Sequence, residues 1–524
     1  MLKKELKNSV PFCYNKAMSK SRIFFIILLA FIAGVFVRSF WEINQMIYWL
    51  LIVADIIMAA VFYKNKNVLI VFFAISFFVF GAWLTQSRIV KTQNLKLDGQ
   101  NFRGEALVLK SSPNTFGQNL IVKTTAEKTK LLLQVPKYPE YNYGDLLNVE
   151  CTLKSIENKN ADFDYQMYMA KDGVLYQCDP VKSPTSRGAE QFNGVNKIGE
   201  NKGNFFLNKI FLVRNLLQEN VRKVIPEPER ALADGILFGG SNQFPKEIQN
   251  DFSKTGMTHI VAVSGYNVTI IAEYLILIGI WIGLWRKRAV WFAIFGIVLF
   301  VIMIGLPSSA VRAGVMGTLL LWAMKNGRLA NSENAIIFAG AVMLLINPLL
   351  LRWDVGFQLS FLATLGIVLI SPIWEKSFIK KNKALGISEI IALSLSAQVF
   401  VLPIIAYNFH IASLISLLAN VLILPIVPLT MLLVFLVSLA GLIFPPLSLV
   451  LAWLAFMPLT YEINVIHILA QFPWASIEIE NFSGCWVTLY YIILFGIMLF
   501  IKNFHNVKFP MINDKSISKS KAQI

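Results

Sequence analysis

Polar side chains stranded inside apolar runs are where this sequence could do chemistry, because each must be satisfied or must line a path. Four stretches carry them. The first runs from His259 through Ser264-Gly265-Tyr-Asn267, where Ser264, Gly265 and Asn267 sit early in an apolar segment and favour a helix break. Close helix packing through small residues is the simpler reading of the same positions. The second, Leu306-Pro-Ser-Ser-Ala-Val-Arg312-Ala, sets Arg312 one turn into an apolar segment. A cation there is costly unless it is paired, snorkels to the interface or faces water, and one facing water could meet a phosphate. The third is Arg352-Trp-Asp354-Val-Gly-Phe-Gln358-Leu-Ser360-Phe. Arg352 and Asp354 suit an interface, while Gln358 and Ser360 lie deeper and either bond between helices or face a path. The fourth spans Ser394, Ser396, Gln398, Pro403, His410, Ser413, Ser416 and Asn420, ending at Pro425. Polar residues this regular, beside proline-broken helices, suggest a water-lined route.

Other chemistry is excluded by spacing. The four histidines (His259, His410, His467, His505) are far apart, and the four cysteines (Cys13, Cys151, Cys178, Cys485) form no CxxC pair, so no metal site is expected. No GxxxxGK[ST] segment occurs, so ATP is not hydrolysed through a P-loop, and no GxSxG or HExxH stands in a convincing context. No cofactor is expected.

The elements that position these residues follow from composition. Of 524 residues 56% are hydrophobic and 15% charged, against about 25% charged in a soluble domain. Such a chain needs a bilayer as solvent. Apolar runs at 23–40, 46–63 and 68–84 are each long enough to span. Further spans are predicted near 258–284, 289–305, 309–325, 334–351, 355–374, 387–408, 413–443, 449–472 and 486–502, with 413–443 broken or partly re-entrant at Pro425 and Pro428. Basic residues cluster at Lys64 and Lys66, Arg286 to Arg288, Lys325 and Arg328, Lys376 to Lys383, and in the tail from Lys502. With the N-terminus inside, all fall on the cytoplasmic side and the count closes at about twelve spans with both ends in. The net charge of +17 is therefore mostly topological and is weak evidence for nucleic acid.

Residues 88–185 differ in kind. Alternating stretches such as Leu146-Leu-Asn-Val-Glu-Cys-Thr-Leu153, punctuated by turn signals such as Tyr143-Gly-Asp145, predict a small β domain, and the topology puts it outside the membrane. Cys151 and Cys178 both lie in it; they form a disulfide, or they are two small buried hydrophobes. A linker and an amphipathic helix fill 186–257, the helix carrying Phe206, Ile210, Val213, Leu217 and Val221 on one face. It lies on the membrane or packs against the β domain. The expected plan is a cytoplasmic basic tail at 1–22, three spans over 23–84, the β domain at 88–185, the linker and helix at 186–257, a polytopic domain at 258–502 and a second cytoplasmic tail at 503–524.

Four segments in this order resemble the ComEC family of competence proteins. They are Thr255-Gly-Met-Thr-His-Ile-Val-Ala-Val-Ser-Gly265, the Pro-Ser-Ser-Ala-Val-Arg-Ala stretch ending at Ala313, Gly356-Phe-Gln-Leu-Ser-Phe361, and Ala397-Gln398 through Pro403 to Asn420 and Pro425. Phe163-Asp-Tyr-Gln-Met-Tyr-Met-Ala-Lys-Asp-Gly173 resembles the end of the family's OB-fold-like domain. The resemblance covers about 23–500. It implies an inner-membrane channel that passes single-stranded DNA into the cytoplasm during natural transformation. An OB-fold offers a groove with aromatic platforms for stacking bases, and Tyr138, Tyr141 and Tyr143 are the DNA-contact candidates, each equally suited to a buried or turn role.

The path candidates are His259, Ser264, Gly265, Asn267, Arg312, Gln358, Ser360, Gln398 and Asn420. Implied partners are single-stranded DNA, membrane lipid, an external DNA receptor, a cytosolic helicase-like motor, a separate nuclease and a further copy of the chain. Two departures stand out. Many members of that family continue into a metallo-β-lactamase-like domain; here the chain ends soon after the last predicted span without a histidine cluster, so no nuclease or other enzyme activity is expected. Tyr266-Asn267 stands where the family usually has Leu-His. The alternatives are a transporter or membrane enzyme on the same scaffold, or an inactive homologue.

Overall fold

The computed structural model describes residues 20–62, 66–93, 97–113, 117–158, 163–180, 195–240, 244–261, 263–325, 332–374, 387–480 and 482–505. Lys64, Arg328, the 376–383 cluster and nearly all of both predicted tails lie outside them.

The chain opens with three apolar helices: α1 (Lys20–Phe40), α2 (Gln45–Phe62) and α3 (Lys66–Gln93). Gly34 and Gly81 let α1 and α3 touch backbone to backbone. A methyl at Gly34 would collide with the Phe78 carbonyl, and one at Gly81 with that of Phe31. Without a hydrophobic force between helices in lipid, such small-residue contacts hold spans together. Helix α3 runs on past the predicted end at 84, so the first residues assigned to the β domain are helical. Its Thr92 hydroxyl reaches Met167 Sδ at 3.7 Å, already touching that domain.

The β domain is β1 (Asn101–Pro113), β2 (Gln118–Thr124), β3 (Lys130–Val135), β4 (Leu146–Ser155), α4 (Tyr165–Ala170), β5 (Val174–Pro180) and β6 (Val195–Gly199). The first five strands close a small barrel in the order β1-β2-β3-β5-β4 and back to β1, with β3 and β5 parallel. That closure fits an OB-fold. Strand β1 serves both neighbours, pairing with β4 through its first half and β2 through its second, and shifts register between Val108 and Lys110 where it bends. Alternate residues fill the interior: Val108, Leu120, Val122, Leu131, Leu133, Leu147 and Val149 are buried. Cys151 and Cys178 are disulfide-bonded with their Cα atoms 5.6 Å apart. Strand β6 lies in sequence predicted as linker. It pairs with β4 as an edge strand whose side chains stay largely exposed, so no apolar alternation marked it.

Next come α5 (Phe205–Val224), α6 (Glu229–Phe238) and α7 (Lys246–Lys254). Helix α5 is the predicted amphipathic helix, capped by Asn204, whose Oδ1 accepts from Phe206 N and Leu207 N. It buries Leu217 and Val221 and leaves Phe205 and Phe206 exposed. It touches the β domain, through Tyr143 against Phe211 and Asn215 with Asn142.

The remainder is α8 (Thr258–Val261), α9 (Gly265–Trp281), α10 (Arg286–Met303), α11 (Ser308–Lys325), α12 (Ser332–Ile346), α13 (Leu350–Trp353), α14 (Val355–Trp374), α15 (Ile387–Phe409), β7 (Ile411–Ser413), α16 (Ser416–Ile423), α17 (Val427–Ile443), α18 (Pro445–Ala470), β8 (Ser476–Glu478) and α19 (Gly484–His505). Two predicted spans are broken. The run 258–284 parts into α8 and α9, and 413–443 into α16 and α17, which bend by 52°. Among the described residues five helices are long and apolar enough to cross a membrane, or six if that bent pair is one span, by length and composition. Shorter apolar helices lie at Met46–Met58, Gly265–Trp281, Ser332–Ile346 and Gly484–Phe500. This is the build of a multi-pass membrane protein.

Prolines create the breaks and tyrosines repair them. Pro403 has no N–H to give Val399 O, and Tyr490 donates its hydroxyl there at 2.9 Å. Pro428 likewise strands Leu424 O, which accepts from the Tyr266 hydroxyl at 3.2 Å. The Tyr491 and Tyr274 hydroxyls serve Phe400 O and Pro428 O.

Candidate functional site

A cavity of about 1960 Å³ opens among α9, α11, α14, α15 and α16. His259, Ser264, Gly265, Asn267, Arg312, Ser360, Gln398 and Asn420 all lie in its wall. Sequence segments spread between His259 and Asn420 therefore meet at one place. The rest of the wall is largely apolar and includes Trp322 and the Phe24–Phe338 ring pair, 6.1 Å between centres.

Arg312 is the cation of this wall. Only 8% of it is exposed. Its Nε donates to Ser360 Oγ at 2.6 Å, Nη1 donates to Thr364 Oγ1, and the guanidinium lies 5.9 Å from the Phe361 ring centre. Ser360 and Thr364 are one turn apart on α14, so α14 holds the fork of α11 in a fixed pose. No carboxylate pairs with Arg312 among the described residues. Thr364 was not singled out in the sequence, although its position four residues after Ser360 marks the same helix face.

The other wall residues divide by how far their hydrogen bonds are spent. Asn267 is buried. Its Nδ2 donates to Ile236 O at 3.0 Å, and its Oδ1 accepts from Ser264 Oγ at 3.1 Å, so it ties the start of α9 to the end of α6. Gln398 Nε2 donates to Ser416 Oγ at 2.6 Å, joining α15 to the α16 N-terminus. His259 Nδ1 sits 3.0 Å from Gly256 O. The Asn420 Oδ1 is buried and has no hydrogen-bond partner among the described residues.

Four candidates fall elsewhere. Gln358 does not line the cavity. Its Nε2 donates to Leu351 O at 3.0 Å and Arg352 O at 2.9 Å. It sits in the first turn of α14 beside the end of α13, whose last carbonyls have no partner of their own. Tyr141 is buried in the barrel, where burial raises its hydroxyl pKa, and it cannot present a face to a base. Tyr143 is half-buried against Phe211, its ring 4.9 Å away, and its hydroxyl accepts from Asn204 N. Tyr138 alone of the three is exposed, with Lys137 Nζ 5.8 Å from its ring.

A contact absent from the sequence reading joins the β domain to this site. Lys171 Nζ lies 2.9 Å from Asp354 Oδ2, with only 10% and 11% of the two side chains exposed. Asp354 Oδ1 also accepts from Phe357 N at 2.9 Å and Ser308 Oγ at 3.3 Å, and Asn347 Nδ2 donates to Lys171 O at 2.8 Å. Ser308 begins α11, the helix that carries Arg312. Burial pulls the Lys171 ammonium down, but Asp354, Asp172 and Tyr168 outweigh it and its pKa ends above the usual lysine value. No group of three or more His, Cys, Asp or Glu that could hold a metal occurs among the described residues.

The family model described as "Competence protein" matches residues 236–504, more than half of the 524-residue chain. The chain belongs to the competence protein family. Every residue of the cavity wall discussed above except Phe24 falls inside the matched segment. The chain is also similar to "ComE operon protein 3" of Bacillus subtilis (strain 168), with 29% identity over 217 residues. That alignment takes in 40% of this chain and 26% of the relative, so it spans about a quarter of the relative's length. No solved structure matches.

Proposed function

We propose that this protein is the inner-membrane channel through which one strand of DNA enters the cytoplasm, and that the strand passes through the α9–α11–α14–α15–α16 cavity. The observation that carries the reading is Arg312: a guanidinium held by Ser360 and Thr364, without a carboxylate partner among the described residues, in the wall of a cavity of about 1960 Å³. A polyanion crossing about 30 Å of hydrocarbon needs a hydrated path with some positive charge. One cation among neutral groups such as Ser264, Ser360, Gln398 and Asn420 favours conduction over trapping.

On this reading about twelve spans place both termini inside and the barrel outside the membrane. The barrel at roughly 97–199 receives the strand, with Tyr138 beside Lys137 as its stacking platform. The polytopic domain after 258 conducts it, and transport energy comes from a cytosolic helicase-like motor. An external receptor and a nuclease act before the channel.

Deletion of the gene, followed by measurement of labelled-DNA entry, tests this. Entry is expected to stop and to return with the intact gene. Normal entry of naked DNA without the gene refutes the channel reading.

A further inference from the structure

Two hydrogen-bond donor groups in the cavity wall converge without a ligand of their own. The first is the N-terminus of α9. Helix α9 is 17 residues long and its first turn, Gly265-Tyr266-Asn267, faces the cavity. No side chain caps it: the Ser264 oxygen accepts from none of the first-turn N–H groups, and its hydroxyl donates to Asn267 Oδ1. The first N–H groups of a helix lack partners within it and carry its positive dipole end. The second is Arg312 Nη2. Nε and Nη1 are spent on Ser360, Thr364 and Met316, which leaves Nη2 with no protein partner among the described residues. Arg312 lines the cavity although only 8% of it is exposed.

Glycine brings the two together. A methyl on Gly265 would fall 2.7 Å from Arg312 Nη2. Only a residue without a Cβ lets the guanidinium rest against the opening turn of α9.

We propose that Arg312 Nη2 and the α9 N-terminus at Gly265–Asn267 form a binding site for a phosphodiester anion. Tetrahedral oxyanions suit a helix N-terminus, and a planar guanidinium edge adds a charge-assisted bond to the same oxygens. In the channel reading, on which this assignment of ligand rests, the anion is a backbone phosphate of the passing strand. A phospholipid headgroup carries the same phosphodiester, and the apolar wall at Phe24, Trp322 and Phe338 could take its chains.

The test uses the full chain purified in an uncharged detergent, with two probes: fluorescent oligothymidylate and short-chain phosphatidylglycerol. Arg312→Ala is expected to weaken oligothymidylate binding about tenfold or more, the loss of one charge-assisted hydrogen bond. It should also reduce the slope of log affinity against log salt by about 0.7, one phosphate contact on a single strand. Gly265→Ala, which keeps the charge but displaces the guanidinium, should weaken binding in the same direction, and it serves as the second variant if Arg312→Ala does not fold. Arg312-dependent binding of phosphatidylglycerol alone upholds the site and counts against the channel reading. Affinities for both probes that are the same in the wild type and in each folded variant overturn the site.

Discussion

The Lys171–Asp354 pair makes a quantitative prediction about how the β domain is fastened to the helical domain. At 2.9 Å, with an effective dielectric near 20, the gross attraction is about 6 kcal/mol. Desolvation of both ions offsets much of it. Lys171→Met leaves the Asp354 carboxylate buried with only Phe357 N and Ser308 Oγ as donors. Stranding a buried charge costs about 3–5 kcal/mol, and those two donors put this case at the lower end, about 3 kcal/mol. Asp354→Asn should cost a similar amount, and with a coupling of about 2 kcal/mol the double variant should cost about 4 kcal/mol rather than the roughly 6 kcal/mol of two independent losses. The assay is urea unfolding of the full chain and the three variants in an uncharged detergent. The sign of the pH dependence follows from the raised Lys171 pKa: its stabilisation is fully present below the ordinary lysine value of 10.5 and is lost as pH climbs through the higher folded value. The difference between wild type and Lys171→Met should therefore be flat across neutral pH and shrink only in strong alkali. A coupling below about 0.5 kcal/mol, typical of exposed pairs, would refute the claim that this pair is a buried fastening.

Two more predictions follow from local geometry. Reducing the Cys151–Cys178 bond, which joins residues 27 apart, should destabilise the barrel by about 3.5 kcal/mol on the loop-entropy estimate; equal protease resistance with and without reductant would contradict this. Tyr266→Phe removes the donor that serves Leu424 O at the Pro428 break and should lower stability by about 1 kcal/mol, read as a lower melting temperature, while Tyr407→Phe, at an exposed tyrosine whose hydroxyl makes no such bond among the described residues, should change little.

Much of this architecture was legible because the signal was local. Three apolar runs gave α1 to α3, alternation gave the barrel strands, and Ser264-Gly265 with Pro425 and Pro428 marked both helix breaks. What stayed hidden depends on partners distant in the chain. Lys171 and Asp354 are separated by 183 positions, so neither could be recognised as half of a pair. Gln358 looked like a path residue because depth in an apolar segment says nothing of orientation; its amide turns back to the end of α13. The tyrosines near the β3–β4 turn read alike in sequence, yet folding buries Tyr141, packs Tyr143 on α5 and exposes Tyr138. Tyr266 and Asn267, which depart from the usual Leu-His of the ComEC family, gain definite work as a cap for Leu424 O and a tie to Ile236 O. An imidazole is thus not needed to hold the start of α9.

The central claim is that DNA runs through the cavity rather than along some other face of the protein. Photo-crosslinking during transport tests it most directly. A crosslinking amino acid at Ala363, in the cavity wall, is compared with one at Phe295, which is 67% exposed on the outer side of α10. The account predicts that labelled single-stranded DNA in transit is captured at 363 and not at 295. Capture at 295 with none at 363, in cells that still import DNA, would contradict it.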